Sequence, residues 1–181
     1  MKYTFLGNTG VKVSSLCFGT MSFGGIADEK TSRQMFDACR EAGVNFYDCA
    51  DVYEQGRSET MLGKFIKDCR DEVVITSKVY FRTGEDVNAM GASRYHMVRA
   101  LEGSLKRLDT DYIDLYFVHG IRSIDELDEN TKAWAEKAKA AGNIRFFGFS
   151  THSNMEECML EAAKLGWTDG IKIIYNYPLM H

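Results

Sequence analysis

The chain has 181 residues and a net charge of −4, with 45% apolar and 27% charged side chains, the make-up of an ordinary soluble domain long enough to bury a core. With no basic stripe and no polybasic run, neither nucleic acid nor a membrane surface is an expected partner. No apolar run is long enough to span a bilayer, and the N-terminal Met1-Lys2-Tyr3-Thr4-Phe5-Leu6 holds no secretory core. Cys17, Cys39, Cys49, Cys69 and Cys158 are scattered, odd in number and never spaced C-x-x-C. That pattern predicts buried thiols, no disulfide framework, no metal site and a reducing, cytoplasmic setting.

In chain order, Tyr3–Leu6 and Val11–Val13 flank an Asn/Gly-rich turn and predict a small hairpin. Leu16–Thr20 predicts a first buried strand. Glu29–Ala42 predicts a helix with Met35, Phe36, Cys39 and Ala42 on one stripe and Gly43 closing it. Val44 to Asp48 then forms a second strand, which delivers Asp48, Asp51 and Tyr53 within six residues. A helix begins at Ser58, and Val73–Lys78 is the third strand. After a loop over 81–92, Ser93–Leu108 is helical, with Met97, Val98, Leu101 and Leu105 on its apolar stripe. Tyr112–His119 is the fourth strand, Ser123–Ala141 a helix and Ile144–Ser150 the fifth strand. Ser153–Leu165, capped by Ser153 or Asn154, is a helix, and Gly170–Tyr175 is the sixth strand.

Strand and helix alternate about every 30 residues, which implies parallel strands joined by right-handed crossovers within one domain over 1–181. The strands end on polar residues: Thr20, Asp48, Lys78, His119 and Ser150, with Lys172 and Tyr175-Asn176 on or after the sixth. A doubly wound sheet would gather such ends at one switch point, whereas a barrel brings all of them to one mouth. No Gly-rich dinucleotide fingerprint follows the first strand, so an α/β barrel of the (β/α)8 TIM type is the expected architecture. Taken singly, Asp48 reads equally as a turn cap, Lys78 as a solvated lysine and His119 as a core histidine. Their shared placement favours a site. Lys78 needs a partner if buried, Asp48 on the neighbouring strand is one, and Tyr53 falls within reach of that pair and of His119. A neighbouring ammonium is expected to lower the phenol's pKa and make it a better proton donor. Hydride would have to come from a cofactor, because no side chain donates one.

Gly43-Val44-Asn45-Phe46-Tyr47-Asp48-Cys49-Ala50-Asp51-Val52-Tyr53, with Gly56 and Ser58-Glu59, resembles the signature of the aldo-keto reductases. So do Ile75-Thr76-Ser77-Lys78, Asp111–Tyr116 leading to His119, and Arg145-Phe146-Phe147-Gly148-Phe149-Ser150. The resemblance implies an NADPH-dependent reductase of aldehyde or ketone carbonyls, with NADH as the alternative cofactor. It also implies a catalytic tetrad of Asp48, Tyr53, Lys78 and His119: Tyr53 as general acid, Lys78 tuning it, Asp48 holding Lys78 and His119 orienting the carbonyl. Cofactor contacts are implied at Thr20, Asp48, Ser150, Lys172 and Tyr175. Met21, Phe23 and Tyr80 are candidate pocket walls, so that Met21, Tyr53, Tyr80 and His119 would face a small-molecule substrate.

The sequence departs from the family in three places. Thr151-His152 follow Ser150 where many relatives have Asn. Lys172 stands where the family often has a carboxamide-binding glutamine. Six strands are counted where the family has eight, so the chain is expected to be an incomplete barrel lacking its C-terminal part, or one completed by self-association. Two other readings remain at this point: a nucleotide-sensing regulatory subunit of the same fold, and a fragment that is inactive alone.

Overall fold

A computed structural model of the chain describes residues 1–176. Short apolar segments lie between helices whose polar faces meet water, so the strands can be buried only by pairing edge to edge beneath those helices. Six of them do so in parallel, in sequence order: β3 (Phe18–Gly19), β4 (Phe46–Asp48), β5 (Val74–Val79), β6 (Ile113–Val118), β7 (Ile144–Thr151) and β8 (Gly170–Ile173). Five helices cover the outer face: α1 (Glu29–Glu41), α2 (Arg57–Ile66), α3 (Arg94–Leu108), α4 (Glu129–Ala140) and α5 (Met155–Leu165). Every residue of β5 and β6 is buried, as a sheet covered on both faces requires.

The sheet is curled. β4 and β8 are four strand steps apart, about 19 Å in a flat sheet, yet Lys172 Nζ on β8 lies 2.5 Å from Asp48 Oδ2 on β4. Only curling toward a barrel brings them together. The described strands therefore form an incomplete (β/α)8 barrel. Gly148 is needed in its wall, because a Cβ there would stand 2.0 Å from the carbonyl oxygen of Gly170 on the next strand. The antiparallel hairpin of β1 (Tyr3–Phe5) and β2 (Lys12–Ser14) is tied to the start of β4: Tyr3 donates to the Gly43 carbonyl at 2.8 Å and the Ser14 amide to Asn45 Oδ1 at 2.7 Å.

The core lies between the sheet and its helices. Phe36 of α1 packs on Tyr47 of β4 and Phe65 of α2 at centroid distances of 5.1 and 5.7 Å. Trp134 of α4 packs on Tyr116 and Phe147 at 6.0 and 5.9 Å. Such residues, each removing about 1.5–3 kcal/mol worth of apolar surface from water, hold each helix to its strand. Capping sets the helix starts. Asp28 accepts from the Thr31 amide ahead of α1, and Asp128 from the Thr131 amide ahead of α4. Gly43 follows α1 at φ +83°, the left-handed turn expected of a closing glycine.

Several expectations change. The helix expected over 123–141 breaks in two: Ser123 and Glu126 close a capping box around the short turn Ile124–Glu126, and Asp128 caps α4 anew. The sixth strand ends at Ile173 rather than at Tyr175. Regular pairing in the first parallel strand is confined to Phe18–Gly19, an edge with one neighbour, and Leu16 and Cys17 before it are exposed. Met35 and Val98 sit at the solvent margins of their stripes, with Phe36 and Met97 buried instead. Asn154 stands at the start of α5 in a left-handed conformation and donates to the Arg122 carbonyl, so its side chain caps nothing. Of the five cysteines only Cys49 and Cys158 are buried.

Candidate active site

Parallel strands point the same way, so their carboxyl ends share one rim. Asp48 ends β4, Lys78 is next to last in β5, His119 follows β6 directly, Ser150 is next to last in β7 and Lys172 lies in β8. Tyr53 comes from the loop after β4, in a tight 3-10 turn over Tyr53–Gly56. That turn holds Glu54 (φ 49°) and Gln55 (φ 59°) in the left-handed region, with Gly56 at φ 86°. Two successive non-glycine residues there cost of order 1–3 kcal/mol each, a strain characteristic of functional loops.

At the centre is the Lys78 ammonium, fully buried. It donates to Asp48 Oδ2 at 2.8 Å, to the Cys49 carbonyl at 2.5 Å and to the Tyr53 hydroxyl at 3.2 Å. An ammonium has three donors and no acceptor, so these bonds saturate it. They also orient the phenol: Tyr53 must accept from Lys78, which leaves its own proton directed elsewhere. Asp48 is completed by Thr76, whose hydroxyl donates to Oδ1 at 2.6 Å, and by Lys172 at Oδ2. Burial opposes its charge, but Lys78 and Lys172 outweigh that and hold the carboxyl below its usual range.

His119 closes the cluster. Its ring meets Tyr53 edge-on at 5.9 Å and Phe81 at 4.6 Å. Burial, reinforced by the Lys78 charge, pushes its pKa down to about 3, so it is a neutral imidazole. Its Nδ1 is buried without a hydrogen-bond partner among the described residues. The expected lowering of the Tyr53 pKa is not found. Burial first, then the Asp48 charge, raises it to about 12, with Lys172 acting in the opposite direction. The Lys78 charge is balanced by the carboxylate it holds, so burial wins. Tyr53 therefore keeps its proton across the physiological range.

The other candidate residues divide. Lys172 joins the cluster through Asp48, and Tyr175 beyond β8 presents an exposed ring. Ser150 is buried, accepts from the Gly120 amide at 2.9 Å and so anchors the loop carrying His119. Thr20 is fully buried, its hydroxyl on the Asp48 carbonyl at 3.1 Å and 2.9 Å from that of Ser58, where it ties two loops together. Met21 is exposed. Tyr80 is half-buried and donates to Glu126. Phe23, a candidate wall, instead belongs to the core, packed on Phe18 and Phe65 at 5.9 and 5.8 Å. An open cavity of about 460 Å³ inside the curl touches Asp48, Thr76, Lys172 and Cys17, with Leu6 of the hairpin segment on its lining.

Residues to which the sequence assigned no role support the site. Thr76 and Phe81 touch Asp48 and His119 directly. Glu59 at the start of α2 is buried, accepts from Ser77 at 2.5 Å and from Arg107 Nε at 2.7 Å, and joins β5 to α3. Its signal in the sequence was its place in the Ser58-Glu59 part of the family-like motif, which assigned it no role. Asp51 is buried between these groups, with neither carboxylate oxygen hydrogen-bonded among the described residues. Burial and the nearby Glu59 charge raise its pKa to about 7, against the pull of Arg107.

Among the described residues no helix is long and apolar enough to cross a membrane. Residues 15–178 match the model of the aldo/keto reductase family. The chain is 36% identical over 159 residues to an aldo-keto reductase of Bacillus subtilis, covering 84% of this chain and 48% of that protein. It is 40% identical over 137 residues to a probable voltage-gated potassium channel subunit beta of Oryza sativa, covering 74% of this chain and 42% of that one. Among solved structures, an aldo-keto reductase of Bacillus halodurans in its holo form superposes with a TM-score of 0.81 at 34% identity, covering 97% of this chain and 58% of that one. The chain thus spans about half the length of these relatives. A tyrosine, a lysine, an aspartate and a histidine gathered at the carboxyl rim of a curled parallel sheet, together with the family match over most of its length, show that the chain belongs to the aldo/keto reductase family.

Proposed function

We propose that this protein is an NADPH-dependent reductase of aldehydes or ketones, with Asp48, Tyr53, Lys78 and His119 as its catalytic residues. One observation carries the reading: a single buried ammonium holds Asp48 at 2.8 Å and the Tyr53 hydroxyl at 3.2 Å. This lysine directs the phenol's proton outward. When the carbonyl oxygen gains negative charge it becomes an alkoxide, a stronger base than a phenolate, so a neutral tyrosine can protonate it. The neutral His119 imidazole has an N–H to offer to the same oxygen, and it fixes the carbonyl's orientation. Phe81 beside it helps exclude water.

A reduced nicotinamide would supply the hydride that reaches the carbonyl carbon. The residues present fit its ring end. Tyr175 offers a free aromatic face, 74% exposed, and Lys172 a cationic donor two residues before the same segment leaves the sheet. Met21 and Tyr80 are the proposed walls of the substrate pocket. A cytoplasmic location fits the scattered, unpaired cysteines.

The test is a titration with NADPH followed by nicotinamide fluorescence, then a panel of aromatic and aliphatic aldehydes read at 340 nm. Saturable binding with aldehyde-dependent NADPH oxidation is expected. Binding without oxidation of any carbonyl would favour the second reading, a nucleotide-sensing subunit, for which the 40% identity to a channel beta subunit speaks. No binding would contradict both.

A further inference from the structure

We propose that Lys172 is a positioning residue of this site: a second cationic partner of Asp48 that adds one unbalanced positive charge beside Tyr53. The inference rests on the reductase reading above. The curl of the sheet carries β8 back toward β4, and Lys172 Nζ lies 2.5 Å from the same Oδ2 that Lys78 holds at 2.8 Å. Thr76 occupies Oδ1, so the carboxylate accepts three donors and is fixed in one orientation.

The charge count is unequal. Asp48 on β4 supplies one negative charge, and Lys78 on β5 and Lys172 on β8 supply two positive charges. The other titratable groups facing them are Cys17 ahead of β3, Cys49 and Asp51 after β4, Tyr53 itself, His119 after β6 and His152 after β7. The thiols of Cys17 and Cys49 and the Tyr53 phenol keep their protons at neutral pH, and Asp51, pushed up to about 7 by burial, is only part-ionised there. A neutral side chain at 172 would leave a balanced pair. Lysine leaves one unbalanced positive charge at the spot where the phenolate must form, and so favours release of the Tyr53 proton. This cation also lies where it can attract an anionic group of a ligand entering the cavity.

The experiment compares Lys172→Gln, which removes the charge, with Lys172→Arg, which keeps it. In ligand-free protein carrying ¹³C-labelled aspartate, with Asp48 assigned through Asp48→Asn, the Asp48 midpoint should rise by about one pH unit in Lys172→Gln and stay low in Lys172→Arg. With NADPH and an aromatic aldehyde, kcat should fall about tenfold in Lys172→Gln and recover in Lys172→Arg. An Asp48 titration identical in both variants would overturn the proposal. So would a shifted titration with an unchanged kcat. If the wild type oxidises no NADPH, the reductase reading fails, while the Asp48 titration still tells whether Lys172 is its partner.

Discussion

Asp48, the last residue of β4, and Asp51, three residues on in the following loop, are both withdrawn from water, 7% and 3% exposed, yet burial has opposite outcomes for them. Asp48 has two ammonium groups and a hydroxyl around it and is held ionised, below the usual carboxylate range. Asp51 has no hydrogen bond to its carboxylate among the described residues, faces Glu59, and is pushed up to about 7. Depth sets the scale of the desolvation penalty; partners decide its sign. The first arrangement makes a rigid, charged floor beneath Tyr53. The second leaves an uncompensated acid beside the strained turn that carries the same tyrosine.

The largest effect is expected at Asp48. Asp48→Asn leaves two ammonium groups facing each other without their anion, so a loss of about 3 kcal/mol in urea unfolding is expected, together with loss of carbonyl reduction. A variant as stable as the parent would show that the buried pair does not matter to the fold.

Asp51→Asn should act the other way. The unfolded chain ionises Asp51 near ~3.9, and the folded chain only near about 7. The folded state therefore binds the extra proton between those values. The stability associated with this group is fully present below about pH 4, declines as pH rises through 7 and stays lost above it. Asn carries no such charge, so Asp51→Asn should stabilise the protein at pH 8 by roughly 2–4 kcal/mol and make no difference at pH 4. Melting curves across that range read it directly. Equal stability at both pH values would mean that Asp51 finds partners in solution.

The smallest effect is expected at Thr76→Val, which removes one neutral donor from Asp48 and keeps its volume. It should cost about 1.5 kcal/mol and raise the Asp48 titration midpoint slightly. A larger shift than that of Lys172→Gln would reverse the ranking of its partners.

Much of this was legible in the sequence. Period and punctuation located the strands and helices, and the polar residue at each strand end announced the rim, because parallel strands must expose the same end together. What was not legible depends on distances that only the curl creates. Nothing local in Lys172 says that it reaches back to Asp48 four strands away. Phe23 looked like a loop aromatic, and only the packing of α1 and α2 draws it into the core. The break at Leu127 and Asp128 was obscured because Ser123 and Asp128 are both good caps, and the sequence pattern read across the second. The direction of the Tyr53 shift is hidden from the sequence for a related reason: a nearby lysine suggests a lowered pKa, whereas in the structure that charge is balanced and the phenol is buried.

The most direct measurement is a single-turnover experiment with the parent chain and Tyr53→Phe, each loaded with NADPH and mixed with an aromatic aldehyde. Both should bind NADPH with affinities within a few-fold of each other, and the parent should oxidise its bound NADPH while Tyr53→Phe does so ~10²–10⁴-fold more slowly. A Tyr53→Phe variant that reduces the aldehyde at the parent's rate would contradict this, because the proton would then come from somewhere other than the tyrosine that Lys78 holds.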